Sequence, residues 1–215
     1  MSHHDLFETS AKIRMLHGIN RVFSRMYHRV DVEGDVRVPR SGPVVILSNH
    51  ISSLDPLLIQ SVVQRPIVWM VAKEYFDIAP LGWLFNSIRS IPVSRDGRDS
   101  TALRAALRAL SAGRVLGVFP EGRIARQREM LPLQTGAAML ALRSVATVVP
   151  VYQFGTSFGQ SMLRALLAPQ HVRVCFGAPI PLTKVHGKSR TPEDVTAEIT
   201  TALANLKRGM SVEKM

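Results

Sequence analysis

The stretch Pro43-Val44-Val45-Ile46-Leu47-Ser48-Asn49-His50-Ile51-Ser52-Ser53-Leu54-Asp55-Pro56 decides the fold of this chain. Its first part is a short apolar run that predicts a buried β-strand. Asp55 and Pro56 then predict the start of a helix that extends to about Val63, since proline suits the first helical turn. A strand that leads directly into a helix is typical of a parallel α/β sheet. His50 is therefore expected at the carboxyl end of a strand, the edge where open α/β sheets bind ligands.

The same alternation of strand-like and helix-like segments continues along the chain. Further strands are predicted at residues 67–72, 90–93, 115–119, 147–152 and 171–176. Helices are predicted at about 80–88, 100–111, 136–144 and 191–207, the last with Thr191 as its cap and Pro192 in its first turn. This order predicts one α/β domain, residues 30–215, in which helices flank a mostly parallel sheet.

Residues 1–29 precede this domain and predict an amphipathic helix. Between residues 6 and 28, at 100° per residue, apolar side chains recur on one side of the helix: Leu6, Ile13, Leu16, Ile19, Phe23, Met26 and Tyr27. Basic residues fall on the other side: Arg14, Arg21, Arg25 and His28. Such a helix can lie in a bilayer interface, where each cation near anionic headgroups contributes about 1 kcal/mol. It can also pack its apolar side on the domain, and the two interpretations are compatible.

Charge and hydrophobicity restrict the class of partner. Lys and Arg outnumber Asp and Glu by 27 to 16, which gives a net charge of +11 and favours an anionic partner. Apolar residues nevertheless make up 46% of the chain. The aromatic residues are scattered rather than interleaved with basic ones, as a nucleic-acid surface would require. A membrane surface with anionic lipids is therefore the expected partner, and no nucleic acid is expected.

The location of the protein can also be predicted from the sequence. The longest apolar runs are well below the roughly 18 residues of a spanning helix, and the N-terminus does not resemble a secretory signal. The single cysteine, Cys175, lies in an apolar run and is expected to be a buried structural thiol. Without a disulfide framework, the chain suits a reducing compartment. We therefore predict a peripheral or monotopic protein at the cytoplasmic face of a membrane.

His50 and Asp55 are spaced for a catalytic pair. A compact turn can bring the Asp55 carboxylate to one imidazole nitrogen of His50, and the other nitrogen can then take a proton from an alcohol. The carboxylate would fix the tautomer and stabilise the imidazolium that forms. Taken singly, each residue has an ordinary alternative. An aspartate before proline is a common helix N-cap, and a loop histidine can simply bond to the backbone.

Four short motifs follow one another along the chain. The first is Asn49-His50, four intervening residues and Asp55, and the second is Ile91-Pro92-Val93-Ser94-Arg95. The third is Phe119-Pro120-Glu121-Gly122-Arg123, and the fourth is Val148-Val149-Pro150-Val151. In this order they resemble the motifs of the glycerolipid acyltransferases, typified by the 1-acylglycerol-3-phosphate (lysophosphatidate) acyltransferases. The resemblance covers roughly residues 30–180.

The resemblance implies a role for each motif residue. It makes His50 the general base and Asp55 its partner. It assigns the acceptor site to Asn49, Arg95, Glu121, Gly122 and Arg123, with the arginines on phosphate. A planar guanidinium can bind a phosphate through two charge-assisted hydrogen bonds, and Glu121 is expected to be a structural partner of one arginine.

One departure from the family pattern affects the acceptor. The third motif commonly reads Phe-Pro-Glu-Gly-Thr-Arg, and the threonine is absent here, so that Arg123 comes one residue early. Arg126 is therefore a second candidate for the phosphate ligand. The identity of the acceptor headgroup stays open for the same reason.

The implied reaction moves a fatty acyl chain from acyl-CoA or acyl-carrier protein to a hydroxyl of a lysophospholipid, in phospholipid synthesis. No metal or cofactor is expected. A covalent acyl-enzyme is not expected either, because Cys175 lies outside the motifs and no serine sits in a nucleophile-elbow pattern. Three alternatives remain open: another lysolipid acceptor, a nonenzymatic basic protein that binds lipid or nucleic acid, and a serine hydrolase.

Overall fold

The structure is a computed structural model that describes residues 11–94, 99–125, 130–158, 160–180, 182 and 190–212. Within these residues one sheet is formed by β1 (Val30–Glu33), β2 (Val44–Ser48), β3 (Ile67–Ala72), β4 (Ile91–Val93), β5 (Val115–Val118), β6 (Thr147–Phe154) and β7 (Val172–Phe176). The helices are α1 (Ala11–Met26), α2 (Asp55–Val62), α3 (Ala79–Ser87), α4 (Ser100–Ser111), α5 (Gly136–Ser144), α6 (Met162–Leu167) and α7 (Pro192–Val212). A 3₁₀ turn, Lys73–Tyr75, lies before α3.

The strand order across the sheet is β1-β7-β6-β2-β5-β3-β4. Strand β2 pairs in parallel with β5 and with β6, so the strand before His50 lies inside the sheet. The other neighbours are also parallel except β6 and β7, which run antiparallel. The predicted α/β class with a mostly parallel sheet is confirmed. Parallel strands place their carboxyl ends at one edge, and this edge carries the segment that begins at Asn49.

Two apolar layers cover the opposite faces of the sheet. Because successive strand residues point to opposite faces, Val45 and Leu47 enter one layer, and Val44 and Ile46 enter the other. The first layer includes buried side chains of α4, α5 and α7, and the second includes those of α2 and α6. The central strand is therefore buried on both sides, as its uninterrupted apolar run predicts.

Most predicted elements occur where the sequence places them, with a few differences. Helix α7 begins at Pro192 after the predicted cap, since Thr191 Oγ1 accepts the N–H of Asp194 at 3.1 Å, and it continues beyond the predicted end to Val212. The short elements β1 and α6 were not predicted, because four to six residues carry too little periodicity to be recognised. Cys175, expected to be buried, is only partly buried in β7.

Helix α1 packs on α2 mainly through polar side chains, which corrects the expected packing face. His17 Nε2 lies 3.0 Å from the carbonyl oxygen of Gln60, and Asn20 Nδ2 donates to the carbonyl of Leu57 at 2.9 Å. Ser24, also on this face, is fully buried and donates to Asn20 Oδ1 at 3.2 Å. Gln60 belongs to the last turn of α2, where carbonyl groups lack helical partners and need other donors once they are covered.

The apolar residues of α1 are consequently divided between two faces. Ile13 is buried against the domain, whereas Ile19 and Met26, expected on the same side of the helix, are exposed. Together with Met15 and Val22 they form an outward row, which we call the apolar stripe (Met15, Ile19, Val22 and Met26). The members of the stripe are 58–79% exposed. The helix therefore presents to the outside much of the apolar surface that the sequence predicts.

Exposed apolar side chains of two other helices adjoin the ends of α1. Lys12 Nζ lies 4.7 Å from the ring centroid of Trp83 on α3, and the Tyr27 hydroxyl donates to the carbonyl of Leu167 on α6 at 2.6 Å. Trp83 and Leu167 are themselves mostly exposed. Each end of α1 therefore lies next to an exposed apolar residue of another helix. None of the helices in the described ranges is both long and apolar enough to cross a bilayer.

Candidate active site

His50 and Asp55 form a hydrogen-bonded pair just beyond the carboxyl end of β2. His50 Nδ1 lies 2.9 Å from Asp55 Oδ2, and the same oxygen accepts the backbone N–H groups of Ile51 at 2.6 Å and Ser52 at 2.9 Å. The N-cap position of α2 is occupied by Leu54, so the alternative of Asp55 as an N-cap is wrong. The carboxylate instead turns back over the loop and holds it in a compact turn.

The hydrogen bonds define the protonation of the pair. Burial of the Asp55 carboxyl raises its pKa, and the N–H donors from His50, Ser52 and Ile51 oppose this shift. Because Oδ2 accepts two backbone N–H groups, it acts as an acceptor toward His50 too, and Nδ1 is the ring nitrogen that carries the proton. Nε2 then carries the lone pair at the opposite edge of a ring whose side chain is 16% exposed. This arrangement is suited to removing a proton from a hydroxyl group.

Asn49 anchors the loop to β6 rather than facing a substrate. Its Nδ2 donates to the carbonyl of Gln153 at 3.0 Å, and its Oδ1 accepts the N–H of Gln153 at 2.9 Å. The Gln153 side chain donates back to the Asn49 carbonyl at 3.3 Å. Because Asn49 is only 3% exposed, these bonds position the residue next to it, and its expected role in substrate binding stays a prediction. The Asn49 side-chain amide thus bonds to the N–H and the carbonyl of Gln153, as a backbone peptide group of β2 would.

Glu121 fixes the backbone of His50 from the other side. Its Oε1 accepts the N–H of His50 at 3.1 Å, and its Oε2 accepts the N–H of Leu131 at 3.1 Å. Among the described residues, the bonds of Glu121 are to these two backbone donors, and its expected pairing with an arginine stays a prediction, because Arg95 lies outside the described residues. Burial raises the pKa of Glu121, and the two N–H donors oppose the shift. The side chain ties the loop of the first motif to the loop of the third.

A second hydrogen bond joins the two loops, and together with the bond from His50 to Glu121 it forms what we call the backbone clamp on His50. The N–H of Ala125 donates to the carbonyl of His50 at 2.7 Å. The backbone N–H and C=O of His50 are therefore both held by the segment that follows β5. On the ring itself, Phe119 stacks at a centroid distance of 3.9 Å. Neighbouring Tyr152 is no competing base, because burial and the Glu121 charge raise its pKa to about 12.

A cavity of about 290 Å³ opens beside this clamp. Its lining consists of Glu121, Gly122, Arg123, Leu131, Pro132 and Gln134. Gly122 has φ +70°, and a Cβ there would lie 2.5 Å from Nε2 of Gln134, so glycine permits both the turn and the contact. The exposed side chain of Arg123 lies at this cavity, next to the glutamate that holds His50. The structure thus brings Glu121, Gly122 and Arg123 together near the His50–Asp55 pair.

Two predicted site residues, Arg95 and Arg126, lie outside the described residues. Within the described part of the chain, no group of three or more His, Cys, Asp or Glu side chains is arranged to hold a metal ion.

Sequence reasoning missed the residues that support His50 from a distance. The contacts made by Ala125, Leu131 and Gln153 all involve a backbone N–H or carbonyl group. Such contacts leave little signal in the sequence. Phe119 was named only as part of the third motif. Its position directly after β5, at the edge where His50 is expected, could have been noticed.

Comparisons with known proteins agree with the motifs. Residues 29–153 match the family model described as Acyltransferase. The 1-acyl-sn-glycerol-3-phosphate acyltransferase of Bacillus subtilis is 26% identical over 136 residues, which are 63% of this chain and 67% of that protein. The Borreliella burgdorferi protein of the same name is 26% identical over 131 residues, 60% of this chain and 52% of that protein. The human 1-acyl-sn-glycerol-3-phosphate acyltransferase alpha is 30% identical over 175 residues, 79% of this chain and 59% of that protein.

The matches therefore span about half to two thirds of the length of these relatives. Among solved structures, the 1-acyl-sn-glycerophosphate acyltransferase PlsC from Thermotoga maritima aligns with a TM-score of 0.72. The alignment covers 92% of this chain and 78% of that chain at 21% identity. At this identity the similarity establishes a shared fold.

If Glu121 holds two backbone N–H groups, replacing its carboxylate with an amide should lower the stability of the protein. Glu121→Gln keeps one acceptor oxygen but replaces the other with an NH₂ group, which leaves the N–H of His50 or Leu131 unpaired. The free energy of unfolding should fall by about 1–3 kcal/mol, and the amide that loses its partner should exchange its hydrogen faster. Urea unfolding and amide hydrogen exchange measure the two effects.

Glu193→Gln, on an exposed residue at the start of α7, is the matched control and should change the unfolding free energy by less than about 0.5 kcal/mol. Equal unfolding curves for the two variants, with unchanged exchange at His50 and Leu131, would contradict the clamp.

Proposed function

The chain belongs to the acyltransferase family, and from this premise we propose that it transfers a fatty acyl chain from an acyl thioester to a hydroxyl of 1-acylglycerol-3-phosphate or a related lysolipid, in phospholipid synthesis. The observation that carries the proposal is the orientation of His50. Its Nδ1 is held by Asp55, so that Nε2 is directed away from the pair. Arg123, a group that suits a phosphate, lies at the adjoining cavity.

The proposed reaction is a direct transfer in which His50 acts as general base. The acceptor hydroxyl gives its proton to Nε2 while its oxygen attacks the thioester carbonyl carbon. The resulting tetrahedral intermediate then breaks its carbon–sulfur bond, and the departing sulfur takes the proton from the imidazolium. The products are a carboxylic ester and a free thiol. The histidine returns to its starting state, so the cycle needs no other acid or base.

Asp55 supports this cycle through the hydrogen bond to Nδ1. The bond selects the tautomer that has its lone pair at Nε2, and the negative charge stabilises the imidazolium in the transition state. We expect no resident metal or cofactor, because the thioester is already activated for acyl transfer. Acyl-CoA and acyl-carrier protein both supply such a thioester, and both are donors under this proposal.

The cavity beside Glu121 is the proposed site of the acceptor headgroup. Arg123 lies at its wall and can offer two parallel N–H donors to a phosphate. Gly122 keeps the wall open, since a larger residue would meet Gln134. Arg95 and Arg126 are further proposed phosphate ligands because of their positions in the second and third motifs. The names of the curated relatives support lysophosphatidate as the acceptor.

The apolar stripe of α1 supports a membrane surface as the place of reaction. Exposed residues of α1, Lys12, Arg14 and Arg25, flank the stripe and can meet anionic headgroups. An exposed apolar row with cationic borders is typical of helices that lie in the bilayer interface. Its inward face already bonds to α2 through polar groups, so the outward face is available to lipid. We propose that residues 1–29 form this interfacial segment, at the cytoplasmic face of the membrane.

Helix α1 is linked to the site through α2, although its Ile13 belongs to the opposite apolar layer. Phe119, which stacks on His50, packs in the layer that contains Leu58 and Ile59 of α2, and α1 lies against α2. A lysolipid held in the bilayer surface could therefore present its hydroxyl to His50 while its acyl chain stays in lipid. This placement suits an amphipathic acceptor that is poorly soluble in water.

Removing the base should slow the reaction severely. His50→Ala should reduce kcat by about 10²- to 10⁴-fold, because a positioned general base contributes that much. Asp55→Asn should lose activity only in part, since its amide oxygen can still accept from Nδ1 but carries no charge. Thiol release from acyl-CoA with lysophosphatidate vesicles measures both. His171→Ala, at an exposed histidine that pairs with Asp31, is the control and should retain full activity. Wild-type turnover by folded His50→Ala would remove His50 from the mechanism.

Loss of Arg123 should act on the acceptor rather than the donor. Arg123→Ala should raise the KM for lysophosphatidate by about 10- to 100-fold, as expected for charge-assisted hydrogen bonds of about 1.5–3 kcal/mol, and leave the donor KM nearly unchanged. Arg123→Lys should rescue poorly, because lysine lacks the two-pronged geometry. Arg143→Ala, at an exposed arginine of α5, is the control. If Arg123→Ala impairs lysophosphatidate and an acceptor with an uncharged headgroup equally, the arginine shapes the loop and does not bind phosphate.

Charges placed in the apolar stripe should weaken membrane binding. Ile19→Glu with Val22→Glu removes apolar contact, worth about 0.8 kcal/mol per buried methylene, and adds repulsion from anionic lipid. Sedimentation with phosphatidylglycerol vesicles should show at least a tenfold weaker association. Val145→Glu changes an even more exposed apolar residue at the end of α5, a helix that packs on the opposite face of the sheet, and should bind like the wild type. Equal binding by all three proteins would show that the stripe does not contact lipid.

A further inference from the structure

Three aromatic rings are stacked in parallel at the candidate site. The His50 imidazole and the Phe119 ring have centroids 3.9 Å apart and planes within 12° of each other. Phe119 in turn stacks on Trp69, with centroids 5.2 Å apart and planes within 10°. The His50–Asp55 hydrogen bond and the backbone clamp do not require this stack, so it is an additional contact on the ring that carries Nε2.

The stack is anchored in the sheet by a glycine. Gly117 of β5 is the register partner of Trp69 in β3, and a Cβ on Gly117 would lie 2.4 Å from the Trp69 indole. Only glycine at this position lets the indole lie across β5. Phe119 follows two residues later on the same face, directly beside the indole, and Trp69 is only 3% exposed. The outer ring of the stack, His50, therefore rests on two rings that the core holds in place.

A contact on the ring face restricts a motion that the hydrogen bond leaves open. The bond from Nδ1 to Asp55 fixes one edge of the imidazole but permits the ring to tilt about that edge. A parallel ring at 3.9 Å opposes the tilt, so the direction of the Nε2 lone pair is set. Since a misplacement of about 1 Å can cost about 10²-fold in rate, a fixed direction matters for proton transfer.

The stack also has an electrostatic consequence. The face of a benzene ring carries negative charge, and cations are attracted to it. When His50 takes a proton, the resulting imidazolium faces Phe119 and is stabilised relative to the neutral ring. This stabilisation acts in the transition state, where positive charge develops on His50. Groups that are already positioned for such a charge accelerate a reaction most.

We propose that Phe119, backed by Trp69 and Gly117, is a positioning residue that sets the plane of the His50 imidazole and favours its protonated form during acyl transfer. The proposal rests on the function proposed above. Phe119 touches neither substrate but acts through His50, so its loss should lower kcat and leave the KM of donor and acceptor nearly unchanged. A residue that only fills the core would lower stability without this selective effect on kcat.

The test compares variants that separate shape from charge. Phe119→Leu should reduce kcat about 10- to 100-fold with each KM within about twofold of wild type. Phe119→Tyr keeps the ring and should retain most activity. Pentafluorophenylalanine at position 119 keeps the shape but reverses the charge on the ring face, and it should reduce kcat as well. Phe176→Leu makes the same change at a buried phenylalanine of β7 and should lower the melting temperature but not kcat.

Proton NMR of the His50 ring gives a readout that does not depend on activity. The carbon-bound ring protons should lie upfield in the wild type because of the Phe119 ring current, and Phe119→Leu should move them downfield. If the wild-type protein transfers no acyl group, the proposed function fails. The NMR shift then decides by itself whether Phe119 fixes the plane of the His50 imidazole. If Phe119→Leu does not fold, the pentafluoro variant tests the proposal.

Wild-type kcat in folded Phe119→Leu overturns the positioning role. Wild-type kcat in the pentafluoro variant overturns the electrostatic role. Ring protons of His50 that do not move in Phe119→Leu show that the rings are not stacked in solution, and this result also overturns the proposal.

Discussion

The site depends on a single buried oxygen, Oδ2 of Asp55, which accepts three N–H donors from the loop after β2. A buried carboxylate is costly unless such donors compensate it, and here they come from residues that are three to five positions earlier in the chain. The loop from Asn49 to Leu54 therefore has to wrap around the carboxylate. This wrapping sets the position of His50 and the tautomer of its ring. The same constraint explains why the spacing of the pair matters: a carboxylate on the first helical residue reaches back over one compact turn.

The remaining support for His50 comes from distant parts of the chain, and the parallel sheet brings these parts together. Gln153 lies 104 residues after Asn49, and Glu121 lies 71 residues after His50. Strands β5 and β6 flank β2 on its two sides, so the residues that follow β5 and those near the end of β6 meet the loop at one edge. The central position of β2 is thus a condition for the site. An edge strand would offer His50 support from one side only.

Most of the fold and the central pair could be predicted from the sequence. The apolar runs of β2, β3, β5 and β6 and the His50–Asp55 spacing depend on local patterns, and local patterns can be read along the chain. The supporting contacts could not be predicted in this way. Glu121 was expected to meet an arginine because both are charged, but its partners among the described residues are the backbone N–H groups of His50 and Leu131, and no charge pattern in the sequence indicates such partners. The apolar side of helix α1 could pack on the domain or lie in a bilayer interface, and the packing face that the structure shows is the one with His17 and Asn20, which bond to buried carbonyl groups of α2. In both cases a buried backbone group that needs a partner decides the outcome.

A base held by Asp55, a cavity lined by Arg123 and an apolar helix surface serve one proposed reaction on a lipid acceptor. In this reaction the acceptor hydroxyl attacks the thioester directly. The most direct measurement follows acyl-CoA, lysophosphatidate and the purified protein by mass spectrometry, beside a lysophosphatidate analogue that lacks the free hydroxyl. With lysophosphatidate, direct transfer should yield phosphatidate and free thiol in equal amounts. It should yield neither product with the analogue and leave no acyl group on the protein. Equal thiol release with both lipids, or an acylated protein in the absence of lysophosphatidate, would contradict it.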